Sequence, residues 1–274
     1  MGYQVAWFFG LTLAFAWGVP VGALFLARVF GFDPPQFSAF TPLVAWSPAF
    51  AALTVIAITR GIPGLQSFFH RLARWPMNAG WYVFALAGIP AACLIASLLT
   101  ATEGQSRFGR PDGRWGAMVL DALLRAAATP VAEFGLRGFA QPMLQRRHGA
   151  IEASVIIGVM WTVWLLPTFM LAPGFASPQG PAPDLQLLAF AVRAIALSVI
   201  LGVVYNRTHG SIPVCVLVHW TATLAYPGEG AAGALPAQAL VFTVLAFVLG
   251  VTLRGGLRPG TLERHVTRLP SLET

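Results

Sequence analysis

Long apolar runs separated by short, breaker-rich connections dominate this chain. Measured against the roughly 20 residues a helix needs to cross a hydrocarbon core, they predict about eight spans, near 4–28, 41–59, 79–100, 117–143, 151–170, 185–205, 211–226 and 235–254. The seventh is short and depends on its flanks. The expected fold class is therefore all-α, a polytopic membrane helix bundle. A single transmembrane helical domain is expected over 1–258, followed by a cytoplasmic basic tail over 259–274. The connections are too short to hold a soluble domain.

Two segments between spans have patterns of their own. In GLQSFFHRLARW, 64–75, Leu65, Phe68, Phe69 and Leu72 recur at helical spacing with His70, Arg71 and Arg74 opposite. That predicts a short amphipathic helix on the cytoplasmic surface, with an ordinary solvated loop as the other reading. The Pro- and Gly-rich stretch APGFASPQGPAPD, 172–184, predicts a flexible external loop.

Composition reinforces the membrane reading. The chain is 57% hydrophobic and 10% charged, outside the soluble range of about 25% charged residues. The formal net charge of +7 comes wholly from arginine, since there is no lysine. In so apolar a chain, that excess points to cytoplasmic loops and the lipid bilayer, and nucleic acid is excluded as a partner. With the N-terminus placed inside, the inner connections hold Arg60, Arg71, Arg74, Arg146, Arg147 and Arg207, and the C-terminal stretch adds Arg258, Arg264 and Arg268. The outer connections hold Asp33, Glu103, Asp112, Asp184 and Glu229 against Arg107, Arg110 and Arg114. Both termini are thus expected in the cytoplasm of a multi-pass protein of the bacterial inner membrane. The first span has no basic flank and no cleavage-site pattern, so a retained helix is expected there. Cys93 and Cys215 lie inside spans and read as small hydrophobes.

Charge at membrane depth costs about 2.5–3.5 kcal/mol per residue on insertion scales, which singles out Asp121, Arg125, Glu133, Arg137, Arg193 and His219. Asp121–Arg125 and Glu133–Arg137 are each four apart, so each acid reaches its base on one helix face. The second pair sits among Thr129, Pro130, Ala132, Gly135 and Gly138, residues small enough for another helix or a substrate backbone to approach. Arg193 reads as an isolated snorkelling or bundle-facing group. His219 is deep enough to face the bundle, where it can be structural or donate to a developing oxyanion, while a shielded Glu can serve as a general base. One Glu and one His are too few for a zinc site, so neither a metal nor another cofactor is expected.

These residues carry a family resemblance. AEFGLRGFAQPMLQRRHG, 132–149, resembles the first motif of the CPBP family of CAAX-protease and bacteriocin-processing intramembrane proteases, a Glu-Glu-x-x-x-Arg followed by Gly and an aromatic. MWTVWLLPTF, 160–169, resembles the second motif, and YNRTHGSIPVCVLVHWTAT, 205–223, the third, with its Thr-x-Gly-Ser turn and His-x-x-x-Asn. The resemblance covers roughly 115–226 and implies an eight-helix fold. It also implies catalysis by a glutamate-activated water, with His and Asn stabilising the oxyanion. Glu133, Arg137 and His219 keep their positions. Ala132 stands where the water-activating Glu belongs, Leu165 where the second-motif His belongs beside Trp161, and Thr223 where the Asn belongs.

Such losses imply a pseudoprotease that binds a hydrophobic or prenylated peptide, or a membrane protein partner, without efficient cleavage. The alternative is an intramembrane endopeptidase working through Glu133 and His219 with Arg137 in support. A third reading is a small-molecule or ion transporter that uses the buried charges as a relay.

Overall fold

In the computed structural model, residues 2–33, 40–72, 75, 78–100, 131–170, 182–224 and 234–252 are described. The described residues form helices and no strand. Helix α1 runs Gly2–Phe30, α2 Thr41–Leu72 and α3 Ala79–Leu99. Helix α4 is built from Ala132–Gly135, Leu136–Ala140 and Gln141–Leu144. After it come α5 (Ala150–Met170), α6 (Pro183–Arg207), α7 (Ile212–Leu224) and α8 (Ala234–Thr252). The all-α bundle expected from the apolar runs is the one observed, and six of these helices are long and apolar enough to cross a membrane. Helix α7 is shorter, as its sequence required. The first part of the fourth expected span, the loop expected over most of 172–184, and the basic tail lie outside the described residues.

Proline sets the local geometry of three helices. Ala14–Gly18, Phe84–Gly88 and Leu136–Ala140 are π-helical turns, and each is followed two residues later by a proline, Pro20, Pro90 and Pro142. A proline has no N–H for the carbonyl four residues back, and its ring crowds that carbonyl, so the helix widens by one residue. Carbonyls released in this way need donors, because lipid supplies none. Thr221 Oγ1 donates to the Ala85 carbonyl at 2.8 Å, and in the widened turn that carbonyl's next partner along the chain would be Pro90. Likewise Trp164 Nε1 donates to Val44 O at 3.1 Å, four residues before Pro48. The prolines therefore trade bonds within a helix for bonds between helices.

Helix α2 breaks at Gly61, whose φ of 60° and ψ of −157° suit only glycine. Beyond the break the chain stays helical to Leu72, which disposes of the loop reading over 64–72. Phe68 is 1% exposed, but Phe69 is 54% exposed, so Phe69 does not share the packed side with Phe68. Arg74 lies outside the described residues.

Helix α6 is the centre of the bundle, packed on α5 and α8, while α4 packs on α2. Small residues allow these approaches. A Cβ on Gly135 would overlap the Pro48 carbonyl, one on Gly202 would overlap the Ser154 hydroxyl, and one on Gly158 would lie 2.6 Å from the Ile195 Cα. These glycines bring α4 onto α2 and α6 onto α5, and so bring the polar side chains of α4, α5 and α6 within bonding reach.

Candidate functional site

Glu133, Arg137 and His219 converge. His219 Nδ1 lies 2.8 Å from Glu133 Oε1, across from α7 to α4. The other carboxylate oxygen, Oε2, lies 3.2 Å from Arg137 Nε on the next turn of α4. That second contact is ionic and is not aligned as a hydrogen bond. Glu133 and Arg137 are fully buried and His219 is 2% exposed. This contact joins the carboxyl group to one ring nitrogen through a single hydrogen bond. The acid thereby fixes the ring's orientation, and Trp161 closes one side, its ring centroid 4.7 Å from that of His219.

Arg137 is held by a second set of side chains. Its Nη1 donates to Gln141 Oε1 at 3.0 Å, and its Nη2 donates to the Ser198 carbonyl and hydroxyl at 3.1 and 2.9 Å. Gln141 Nε2 donates to Ala150 O at 3.3 Å and to Ser154 Oγ at 3.2 Å. The Ser198 hydroxyl donates to Ser154 O at 2.6 Å, and the Ser154 hydroxyl donates to Ala150 O at 2.7 Å. Arg137 lies within the π-helical turn before Pro142, and wider winding brings residues four apart closer to eclipse. Glu133, Arg137 and Gln141 consequently stack along one side of α4. A buried charge is tolerated where it is paired and hydrogen-bonded, and this network from three helices satisfies both terminal nitrogens of Arg137, while its Nε faces Glu133 Oε2 in the ion pair alone.

Sequence reasoning did not single out Gln141, Ser154 or Ser198. A usable signal was present in the four-residue spacing Glu133, Arg137, Gln141, which sets a third polar group on the same helix stripe. The serines carry no such signal, because an isolated Ser in an apolar helix usually bonds the carbonyl four residues back.

The three substituted motif positions are also in place. Ala132 is fully buried and offers a methyl group next to Glu133, about 100° around the helix from it. Leu165 packs against the core one turn beyond Trp161 on α5. Thr223 spends its hydroxyl on its own helix, donating to His219 O at 2.9 Å. None of these three side chains brings a charge or an imidazole to the site.

Arg193 stands apart from this site and is not isolated in the fold. Its Nε donates to Gln238 Oε1 at 2.8 Å and its Nη2 to Ala222 O at 3.2 Å, with the Phe242 ring centroid 5.4 Å from the guanidinium carbon. It faces the bundle, joining α6 to α7 and α8, and does not snorkel. Asp121 and Arg125 lie outside the described residues. Among the described residues no cluster of three or more His, Cys, Asp or Glu side chains could hold a metal ion.

Residues 112–225 match the family model described as type II CAAX prenyl endopeptidase, Rce1-like. No curated protein matches the chain. The matched stretch takes in all three motifs and the residues Glu133, Arg137, Trp161 and His219 that they bring together. Over that stretch this membrane protein is similar to the Rce1-like type II CAAX prenyl endopeptidases, which supports the CPBP/CAAX protease resemblance of its motifs.

Proposed function

We propose that the chain binds a hydrophobic or prenylated peptide segment within the membrane and does not cleave it efficiently. The observation that carries this reading is the state of the only carboxylate among the described site residues. Both oxygens of Glu133 are engaged, one by His219 and one by Arg137, while the adjacent position is the methyl of Ala132. A base must reach the water it activates, and Glu133 would have to leave an ion pair in a dry interior to do so. Thr223, bonded to its own helix, is a poor replacement for an oxyanion donor. Loss of one such donor typically costs about 10²–10³ in rate and loss of the base about 10²–10⁴. The bound peptide or protein partner would lie in the bilayer, and the arginine distribution supports a cytoplasmic-membrane setting with both termini inside.

One observation favours the endopeptidase alternative. The 2.8 Å contact from His219 to Glu133 is a carboxylate–imidazole dyad of the kind that orients a base in other hydrolytic sites. The two readings separate when purified protein is incubated with a fluorescent farnesylated peptide, with binding followed by anisotropy and products by mass spectrometry. Saturable binding without product is expected. Turnover that disappears in both Glu133→Ala and His219→Ala would overturn the pseudoprotease reading in favour of the dyad.

A further inference from the structure

Of the six helices long enough to cross a membrane, α1 is the least buried, with 17% of its most apolar stretch covered against 61% for α6. Its two halves differ. The first is anchored, since Phe8 is fully buried with its ring centroid 5.4 Å from that of Phe139 on α4, and Thr12 is buried as well. Beyond the π-helical turn, Val21, Phe25, Leu26, Val29 and Phe30 are exposed, and Pro20 and Ala27 are the buried residues. Between the halves runs Gly18-Val-Pro-Val-Gly22. Pro20 withholds a helical donor there, and a Cβ on Gly18 or Gly22 would meet nothing within 4 Å. Packing forbids a side chain at Gly135, Gly158 and Gly202, whereas at Gly18 and Gly22 the lack of one serves to soften the helix. A proline in a π-helical turn with such glycines on either side is a hinge.

At that hinge a hydrogen bond joins α1 to α5. Trp17 Nε1 donates to Trp164 O at 3.0 Å, and Trp164 Nε1 donates in turn to Val44 O at 3.1 Å on α2. Helix α1 thus lies over the seam where α5 meets α2, and Trp164 is bonded to both neighbours. The Trp164 and Trp161 ring centroids are 6.4 Å apart, and Trp161 lies against His219. Three tryptophans therefore lead in file from the half-buried Trp17 to the imidazole and on to Glu133.

Glu133, His219 and Trp161 are each 4% exposed or less, so a segment bound at this site has to pass a moving element. We propose that the outer half of α1 is a lid on that route. It swings on the Gly18–Gly22 hinge when the bond from Trp17 to Trp164 breaks, and admits an apolar segment sideways from the bilayer, past Trp164, to Trp161 and His219. The ligand class follows from the route: a chain already dissolved in the bilayer, such as a lipid-modified peptide, and not a peptide taken from water. The ligand rests on the binding reading above, whereas the movement rests on α1 itself.

Two measurements on the intact protein in lipid nanodiscs test the lid. The first needs no ligand: nitroxides on Val29→Cys and Val159→Cys, both exposed positions, report the distance from α1 to α5 by double electron–electron resonance in a Cys93→Ala, Cys215→Ala background. A second, longer distance is expected. It should grow in Trp17→Phe, which removes the N–H and keeps the aromatic bulk, and shrink in the double change Gly18→Ala, Gly22→Ala. The second measurement follows a fluorescent farnesylated peptide by stopped flow. Trp17→Phe should raise association and dissociation rates together by about fivefold, the worth of one hydrogen bond, and the double glycine change should lower both by about the same factor. The dissociation constant should hold, because the lid recloses over the bound segment. Binding whose rates ignore both variants, with unchanged distances, would overturn the lid and leave the binding reading intact. Distances that shift as expected without any binding would uphold the movement and overturn the binding reading instead. Faster dissociation alone would make Trp17 a ligand contact and overturn the latch, and an unprenylated peptide that associates equally fast would overturn entry from the lipid.

Discussion

His219 Nδ1 meets a Glu133 carboxylate oxygen at 2.8 Å, although the two residues are 86 positions apart in the chain. This bond and the Arg137 ion pair divide one carboxylate between two cationic or donor partners, but the two contacts are not equivalent in cost. Removing Arg137 leaves a charge uncompensated in a fully buried site, so Arg137→Leu should destabilise the protein by about 3–5 kcal/mol. Removing the imidazole in His219→Ala leaves Glu133 still paired and should cost only about 1–3 kcal/mol. Thermal melting in detergent should rank the two variants in that order. A melting temperature unchanged by Arg137→Leu would mean that the pair is hydrated.

The cradle around Arg137 should respond in proportion to what each bond leaves behind. Ser198→Ala removes the hydroxyl that Nη2 uses and keeps the Ser198 carbonyl, which Nη2 also reaches. A loss of about 1.5–3 kcal/mol is expected for a hydrogen bond to a charged group. Combined with Arg137→Leu, the same change should cost clearly less than it does alone, because the two residues share one network. Additive losses in the double-mutant cycle would refute the cradle.

Close packing makes a contrasting pair of glycine substitutions. Gly202→Ala puts a methyl group onto the Ser154 hydroxyl, whereas a Cβ at Gly10 meets nothing within 4 Å. Overpacking typically costs about 1–3 kcal/mol, so Gly202→Ala should lower the melting temperature. Gly10→Ala should hold or raise it, since Ala is the better helix former by up to about 1 kcal/mol. Similar melting of the two variants would contradict the packing of α6 on α5.

The sequence announced the spans because a bilayer demands unbroken apolar runs and the chain supplies them. Glu133, Arg137 and His219 were legible for the complementary reason, since charge is conspicuous where it is expensive. What organises them was not. Arg193 looked isolated because Gln238 and Ala222 are 45 and 29 residues away along the chain, and nothing in its local pattern points to either. Ser154 and Ser198 have the appearance of ordinary helix serines, and only the α5–α6 approach at Gly158 and Gly202 turns them toward Arg137. The break at Gly61 also escaped the hydropathy pattern. A positive φ redirects the chain without altering apolar content, so the end of the second span near 59 and a separate amphipathic helix from 64 were readable, while their joining through Gly61 was not.

The bond from Thr221 to Ala85 should depend on Pro90. Its hydroxyl donates to a carbonyl in the π-helical turn that precedes the proline. Thr221→Val should cost about 0.6–1.7 kcal/mol, the range for polar bonds between membrane helices. In a Pro90→Ala background a backbone N–H is restored, the turn can rewind, and the same Thr221→Val change should cost less. Denaturation in mixed detergent, read by helicity, would measure the difference, and an undiminished cost would show that the proline does not create the need for the hydroxyl.

Restoring the motif is the most demanding expectation. Ala132 is fully buried, so Ala132→Glu alone introduces a carboxylate with no assigned partner and should destabilise the fold by several kcal/mol without producing turnover. The family pattern places an imidazole at position 165 and an amide at 223. The triple change Ala132→Glu, Leu165→His and Thr223→Asn should recover part of the lost stability, because each new polar group then gains a counterpart. It should also yield measurable cleavage of a farnesylated peptide where the unaltered chain gives none. Recovery of stability without cleavage would locate the loss of activity in more than these three side chains, whereas cleavage equal to that of the unaltered chain would mean that Glu133 and His219 had been the working residues throughout.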